Sequence, residues 1–274
     1  MSAARSGRDE LSVPRAFDAQ ARFYDKLVGA NPGYHEHLRI SARRMGLPNR
    51  GAGLRLLDLG CGTGASTAAL LDAAPEADIT AVDASAEMLS VARRKTWPAG
   101  VRFLHGNVDE LDRIKIVGQY DGIMAAYLVR NLSDRNAALR AFQTLLRPGA
   151  PLAVHEYSVA DSARSRMIWT AVSWGVIIPM ARLRTGSATL HRYLWRSVLD
   201  FDGVEAFTTR MGATGYTDVI VSTMPGWQQH IVHTFLGRKP GRRETAAPAD
   251  LLAEDPADAP TPPVGIEMGK KPGA

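Results

Sequence analysis

The chain has 274 residues, of which 45% are hydrophobic and 22% charged, with a formal net charge of +5. It is long enough to bury a core without disulfides or metals, and its single cysteine, Cys61, excludes a disulfide framework and a cysteine-rich zinc site and favours the cytoplasm. Basic and acidic residues are interspersed without a Lys/Arg run, so we expect no nucleic-acid partner.

The two ends of the chain differ from its middle. Residues 1–13 lack the apolar core of a signal peptide, and we expect them to be disordered. Residues 240–274 are rich in Pro, Ala and Asp and have little to bury, which predicts a disordered tail. One folded domain is therefore predicted at 14–239.

Within that domain, apolar strand-like runs alternate with amphipathic stretches. In chain order the pattern predicts helices at about 14–29 and 34–46, strand 54–60, helix 64–73, strand 78–83, helix 85–95, strand 101–107, strand 120–129, helix 134–146, strand 151–157, a helical stretch at 161–182, helix 203–213, and strands 216–223 and 230–237. This order predicts a Rossmann-like, doubly wound α/β fold. Its mostly parallel sheet would have about seven strands, helices on both faces and a helical insertion at about 161–200.

The most apolar run lies in that insertion. MIWTAVSWGVIIPMA (167–181) is too short for a transmembrane helix and contains Pro179. It is either a buried helix or an element that covers a lipophilic substrate or contacts a bilayer. Trp169, Trp174 and Trp195 could likewise wall a pocket or belong to the core.

The sharpest motif is LLDLGCGTGAS (56–66), where an apolar strand runs into three alternating glycines and then a helix. Glycines allow positive φ and let a ligand approach bare backbone, and the helix amino terminus offers unpaired N–H groups. The next strand ends in Asp83, which would meet the hydroxyls of a ribose. Gly60, Gly62 and Ala65 also match the dinucleotide pattern G-x-G-x-x-G/A, so a nicotinamide or flavin oxidoreductase is an alternative.

D-x-G-x-G-x-G after the first strand, with an acid ending the second, resembles class I S-adenosylmethionine-dependent methyltransferases. The resemblance implies S-adenosylmethionine as cofactor, with its methionine part at the glycine turn, its ribose at the acid and its adenine after the third strand. It also implies an aromatic residue of the first helix folded over the cofactor, although ordinary helix packing is an alternative for that residue. The implied cofactor residues are Asp58, Gly60, Cys61, Gly62, Thr63, Gly64, Asp83, Ala84, Asn107, Val108 and Tyr24.

Later segments resemble the ubiquinone/menaquinone C-methyltransferases (the UbiE-type family). YLVRNLSD (127–134), RPGA (147–150) and HEYS (155–158) are similar to that family's F-G-L-R-N-v-t-D, K-P-G-G and L-E-F-S, and HRYLWRSV (191–198) is similar to its Y-x-Y-L-x-x-S-I. The resemblance covers about Ala16 to Lys239. It implies methylation of a ring carbon in a lipophilic quinol or related aromatic.

The chain departs from that family mainly on the substrate side. Leu128 stands where the family has glycine, Ala126 where it usually has serine, and Ala150 where it has a second glycine. Of the N-terminal signature only Tyr24-Asp25 and a nearby histidine are present. An O- or N-methyltransferase of another small molecule is therefore an alternative.

Carbon methylation requires a deprotonated phenol beside the attacking carbon, and hence a base or a cation that favours phenolate. Arg130 suits the cation role, whereas Glu156 would act as base or pair with Arg130. His155 alternates with Glu156 and should pack on the other side of its strand. The predicted substrate residues are Tyr127, Arg130, Asn131, His191 and Tyr193.

The expected partner is thus a small lipophilic aromatic molecule. No set of His, Cys, Asp or Glu has metal-ligand spacing, so no metal is expected. A lipophilic substrate and the apolar insertion together suggest peripheral contact of the enzyme with the inner face of the membrane. A non-catalytic binding module is a further alternative, which the intact cofactor motif disfavours.

Overall fold

The computed structural model describes residues 25, 29, 31, 33–114, 116, 118–185 and 188–241. The expected disorder of residues 1–13, most of the helix at 14–29 including Tyr24, and the tail beyond Gly241 lie outside the described residues. The described part contains all seven predicted strands and the insertion except residues 186 and 187.

Seven strands form one sheet in the order β3-β2-β1-β4-β5-β7-β6. The strands are β1 (Arg55–Leu59), β2 (Asp78–Asp83), β3 (Val101–His105), β4 (Gly122–Ala126), β5 (Pro151–Tyr157), β6 (Thr217–Thr223) and β7 (Val232–Arg238). Pairing among β1 to β5 is parallel, and β7 runs antiparallel to both of its neighbours. The predicted doubly wound, mostly parallel sheet is confirmed.

Helices cover both faces of this sheet. They are α1 (Tyr34–Arg44), α2 (Ala65–Ala73), α3 (Ala86–Arg93), α4 (Arg135–Leu145), α5 (Ala163–Val172), α6 (Ile178–Thr185), α7 (Thr189–Leu199) and α8 (Val204–Ala213). Successive strand residues face opposite layers, so Leu57 packs with Phe142 of α4 while Leu56 packs with Leu70 of α2. The central strands are buried on both sides, which is why their sequences are mostly apolar, with Asp58 as the buried exception.

The chain reverses its winding direction beside β1. β1 pairs with β2 on one side and with β4 on the other, so the loops after β1 and β4 diverge at the carboxyl edge of the sheet. Ligands of open α/β sheets bind in the crevice that such a divergence leaves. Both the glycine turn and the Arg130 segment open onto this crevice.

The prediction that the fourth strand runs to residue 129 is wrong, because β4 ends at Ala126. Tyr127 has a positive φ of 56°, and the next residues form a 3-10 turn at Val129–Asn131. The ring of Tyr127 stacks on Tyr34, 5.6 Å away, and its hydroxyl lies 3.0 Å from Nε2 of His155. Contacts with distant elements thus stabilise a backbone conformation that a non-glycine residue rarely adopts.

The insertion is helical, as predicted, but its helical geometry is not uniform. A π turn at Ser173–Ile177 lies between α5 and α6 without a break in the helix, and Pro179, which has no N–H to donate to a preceding carbonyl, follows just after that turn. Within the described ranges, no helix is both long enough and apolar enough to cross a bilayer. α7 follows and returns the chain to the site.

A buried carboxylate, Asp58, fixes the glycine turn from beneath. Its Oδ2 accepts hydrogen bonds from Oγ of Ser66 at 2.8 Å and from Oγ1 of Thr67 at 2.6 Å, which join the end of β1 to the first turn of α2. Its Oδ1 has no hydrogen-bond partner among the described residues. Burial raises the pKa of Asp58 to about 6, because the charged form loses its water while two hydroxyls compensate only in part.

We expect this buried charge to make stability depend on pH. The pKa of Asp58 is higher in the folded state than in the unfolded chain, so its contribution to stability is complete below about pH 4 and is lost as the pH rises through about 6. Relative to Asp58→Asn, the unfolding free energy of the wild type should fall by about 3 kcal/mol between these limits. Urea denaturation across this range measures it.

Asp72→Asn is the matched control, since Asp72 is exposed on the same helix, α2. A wild type and an Asp58→Asn variant with parallel stability curves would contradict the assignment of a buried, titrating carboxylate.

Candidate active site

A cavity of about 520 Å³ opens at the carboxyl edge of the sheet. Its walls come from the glycine turn after β1, the end of β2, the loop after β3, the turn after β4 and the insertion. Several residues that the sequence assigns to a cofactor and several that it assigns to a substrate therefore line one continuous cavity.

The three glycines of the turn all have positive φ, but they serve different purposes. A Cβ on Gly60 would lie 2.9 Å from the side chain of Leu128, and one on Gly64 would lie 2.8 Å from that of Trp97. A Cβ on Gly62 would meet no atom within 4 Å. Packing requires Gly60 and Gly64, whereas Gly62 keeps the cavity wall bare for a ligand.

Asp83 stands beside this bare backbone at the end of β2. Its Oδ2 accepts from the N–H of Gly62 at 2.7 Å, and its Oδ1 accepts from the N–H of Ser85 at 2.8 Å. Asp83 and Ala84 both line the cavity. The carboxylate is thus oriented by backbone donors, with each oxygen able to accept a further hydrogen bond from a ligand.

The third part of the predicted cofactor site follows β3. Asn107 caps the 3-10 turn Val108–Arg113, and its Oδ1 accepts from the N–H of Asp109 at 3.1 Å. Asn107 and Val108 line the same cavity as Asp83. The sequence spacing therefore brings the three predicted strand-end groups together.

The remaining predicted cofactor residues lie in or around the turn. Cys61 and Thr63 line the cavity, while Asp58 and Gly64 are placed behind its wall. Burial and the charges of Asp58 and Asp83 raise the pKa of the Cys61 thiol well above its usual value. Tyr24 lies outside the described residues.

The residue after Tyr24 contacts the turn directly. Oγ1 of Thr63 donates to the carboxylate of Asp25, and Nζ of Lys95 lies 2.8 Å from that carboxylate and donates to the carbonyl of Thr63 at 2.8 Å. Asp25 therefore contacts the glycine turn through both Thr63 and Lys95.

Arg130 lies on the cavity wall and forms a buried ion pair with Glu156. Its Nη1 donates to Oε1 of Glu156 at 2.5 Å and to the carbonyl of Tyr127 at 2.9 Å, and its Nε donates to Oγ of Ser197 at 3.3 Å. Oε1 of Glu156 also accepts from the N–H of Tyr157 at 2.9 Å. Burial raises the pKa of Glu156, and the guanidinium opposes that rise.

These contacts separate the two predicted catalytic residues. Glu156 is fully buried and does not line the cavity, whereas Arg130 does, with its guanidinium carbon 5.8 Å from the ring centroids of both Tyr127 and Tyr157. Of the two roles open to Glu156, the geometry favours pairing with Arg130 over proton abstraction.

Asn131 and Tyr193 form the next contact. Nδ2 of Asn131 donates to the carbonyl of Tyr127 at 3.1 Å, and its Oδ1 accepts from the hydroxyl of Tyr193 at 3.2 Å. Asn131 lines the cavity, but Tyr193 does not. The structure places the predicted substrate residue Tyr193 behind Asn131, in a position to orient it.

One face of α7 completes the apolar end of the cavity. Leu190, His191, Leu194, Trp195 and Val198 line it at helical spacing. Nδ1 of His191 is buried and has no hydrogen-bond partner in the described part of the chain. Burial lowers the pKa of His191, so the ring is neutral at pH 7.

The remaining aromatic residues divide into those that line the cavity, one that is exposed and one that is buried in the core. Trp169 lines the cavity with Trp195, whereas Trp174 is exposed and does not line it. His155 is fully buried on the opposite side of β5 from Glu156, and burial lowers its pKa to about 3, as expected for a packing residue.

Sequence reasoning missed three aromatic wall residues, Tyr34, Tyr157 and Trp227. Tyr157 could have been found, because it follows Glu156 at the same strand end as the HEYS segment. Tyr34 and Trp227 carry no such signal, since they reach the cavity only through the tertiary packing of α1 and of the loop before β7.

Comparisons with known proteins identify the family of this chain. The model of the ubiE/COQ5 methyltransferase family matches residues 5–232. The chain is 31% identical over 185 residues to a demethylmenaquinone methyltransferase of Thermus thermophilus, covering 66% of this chain and 82% of that protein. It is 27% identical over 236 residues to the ubiquinone/menaquinone biosynthesis C-methyltransferase UbiE of Rhizobium johnstonii, covering 81% of this chain and 91% of that protein.

Solved structures share the fold at lower identity. Human N-acetylserotonin methyltransferase, solved in complex with S-adenosylmethionine, superposes with a TM-score of 0.58 at 15% identity, covering 86% of this chain and 60% of that one. The family match sets aside the oxidoreductase alternative that the glycine pattern alone left open. The chain belongs to the ubiE/COQ5 methyltransferase family and is an S-adenosylmethionine-dependent methyltransferase.

Proposed function

We propose that this enzyme methylates a ring carbon of a lipophilic quinol or related aromatic molecule. One observation carries the proposal: a single cavity runs from the glycine turn and Asp83, past Arg130, to the apolar walls of the insertion. Relatives named for demethylmenaquinone and for ubiquinone/menaquinone biosynthesis support the same acceptor class.

The residues at the polar end fit the cofactor. Gly62 presents bare backbone, Asp83 is oriented to accept hydrogen bonds from ribose hydroxyls, and Asn107 and Val108 would hold the adenine. Bound there, S-adenosylmethionine supplies an electrophilic methyl group. The protein's own task is to orient the acceptor and exclude water.

At the acceptor end, Arg130 favours the phenolate form of the substrate. Its guanidinium stays charged, and a fixed cation beside a phenol lowers the free energy of the deprotonated state. Glu156 and the carbonyl of Tyr127 fix the direction in which that guanidinium points. Glu156 is thus a positioning residue and Arg130 the substrate-facing one.

His191 is the proton acceptor in this scheme. His191 lines the cavity, and burial lowers the pKa of its ring and so keeps it neutral. A neutral imidazole at this place can take the phenolic proton while Arg130 stabilises the anion that forms. Asn131, held by Tyr193, would hydrogen-bond a second oxygen of the ring.

Leu128 favours a second candidate, an O- or N-methyltransferase of another small molecule. Leu128 lines the cavity and packs on Gly60. The similar family segment has glycine at the position of Leu128, so the leucine side chain leaves less space beside the turn than a glycine would. The position of the methyl group in the product, read by NMR, separates the two candidates.

A lipophilic acceptor resides in the bilayer, so we extend the proposal to the enzyme's location. The enzyme would act at the inner face of the membrane as a peripheral protein. This places the acceptor in reach of the insertion.

Asp83 provides the test of the cofactor site. Asp83→Ala removes the carboxylate that would accept from the ribose and should weaken S-adenosylhomocysteine binding at least about tenfold, because hydrogen bonds to charged groups are strong. Isothermal titration calorimetry measures the affinity, with exposed Asp72→Ala as control. Equal affinities for the two variants would reject the assignment.

Arg130 provides the test of the acceptor end. Arg130→Lys keeps the charge but loses the forked geometry, so methyl transfer to a demethylated quinol should fall at least about tenfold. S-adenosylhomocysteine affinity should stay unchanged, which also shows that the variant folds. Arg135→Lys, which alters the partly buried ion pair between Arg135 and Asp202, is the control and should retain full activity.

The same assay answers the question of substrate. Labelled methyl groups that reach another acceptor but never a quinol carbon would overturn the quinol proposal while leaving the cofactor site intact.

His191 gives the reaction its expected pH dependence. Protonation of His191 removes the base, so kcat should rise as the pH increases. Because burial lowers the pKa of His191, this rise should be complete before about pH 6.5. His191→Ala should lower kcat about 100-fold and abolish that acid limb. The exposed neighbour Arg192→Ala is the control, and an unchanged profile in His191→Ala would contradict the role.

A further inference from the structure

The insertion exposes large apolar side chains beside the cavity. Among the described residues, five large apolar side chains are exposed. Four of them lie in α5, the π turn and α6: Met167, Trp174, Val176 and Leu183. Leu183 is 87% exposed and Met167 is 70% exposed, so neither contributes to the core. Exposed apolar side chains concentrated in one segment mark an interaction surface.

The same segment has an inward side that accounts for its fold. Ser165, Trp169 and Ser173 recur every four residues and are buried. The exposed residues Met167 and Trp174 fall between these positions. Packing within the described chain therefore does not account for the apolar side chains on the outer side.

Its charge is as unusual as its hydrophobicity. Residues 163–185, which form α5, the π turn and α6, contain four arginines and neither Asp nor Glu. Arg164, Arg166 and Arg182 are exposed. A surface that combines exposed tryptophan and leucine with arginine complements an anionic lipid bilayer, where aromatic rings lie at headgroup level and arginine side chains reach phosphates.

The insertion also separates the cavity from this outer surface. Val172, Ile177 and Met180 line the cavity from inside, and Val176 both lines it and is 51% exposed. The apolar wall of the acceptor site and the apolar outer surface are thus two sides of one helical layer. Val176 is the point at which the two sides of this layer come closest together.

We propose that the outer surface of α5, the π turn and α6 docks on an anionic phospholipid bilayer and collects the acceptor there. The collection of the acceptor rests on the proposed function, whereas the docking itself is argued from the exposed apolar and basic side chains alone. A second copy of this chain is the less suitable occupant, because pairing these surfaces would bring like charges together. The bilayer satisfies both the apolar and the basic side chains.

Vesicle co-sedimentation with the full 274-residue chain tests the proposal. Binding to vesicles of phosphatidylcholine mixed with phosphatidylglycerol should exceed binding to phosphatidylcholine alone at least about tenfold, and should weaken at high salt. The double variant Met167→Gln/Leu183→Gln should lose at least about tenfold in vesicle affinity. Ile220→Gln, which removes the fifth exposed apolar side chain on β6, is the matched control and should bind like the wild type.

Activity on two acceptors separates this proposal from the proposed function. The double variant should keep wild-type methyl transfer to a short-chain, water-soluble quinol and lose transfer to a long-chain quinol in vesicles. Unchanged vesicle binding by the double variant, or salt-independent binding to neutral vesicles, would overturn the proposal. Concentration-dependent dimers that the double variant abolishes, without vesicle binding, would assign the surface to a second copy instead.

Vesicle binding that behaves as expected, with no quinol methylated in any form, would refute the proposed acceptor and leave the docking surface standing.

Discussion

The buried ion pair between Arg130 and Glu156 organises the end of the cavity that we propose for the acceptor. Removing both charges from water is costly, so the pair is weak as a source of stability, but it fixes where the guanidinium lies. Arg130 also donates to the carbonyl of Tyr127, and Asn131 donates to the same carbonyl. The positive φ of Tyr127 aims that carbonyl at both donors, so one contact across two strand ends sets the geometry of the whole turn.

The two ends of the cavity are mechanically connected through Leu128. Its side chain packs against Gly60 of the glycine turn. Asp58 holds the same turn through hydrogen bonds from Ser66 and Thr67. The side chain at position 128 and the conformation of the glycine turn therefore constrain each other.

The sequence was sufficient where local chemistry decides the structure. β2 and β5 have the predicted bounds because apolar runs flanked by turn residues specify them, and the glycine turn was recognisable because positive φ restricts residue choice. It was insufficient where distant elements decide. β4 ends early because Tyr34 and His155 hold the ring of Tyr127, and Tyr193 lies behind Asn131 because of how α7 docks.

Cys61 gives the glycine turn a chemical reporter of its own. Its thiol is buried, is kept protonated by its surroundings, and is the single thiol in the chain. Alkylating reagents react with thiolates, so their rate of attack measures how often the turn opens to water. Any nucleoside analogue that closes the turn would slow alkylation in proportion to occupancy, with no background signal from a second cysteine.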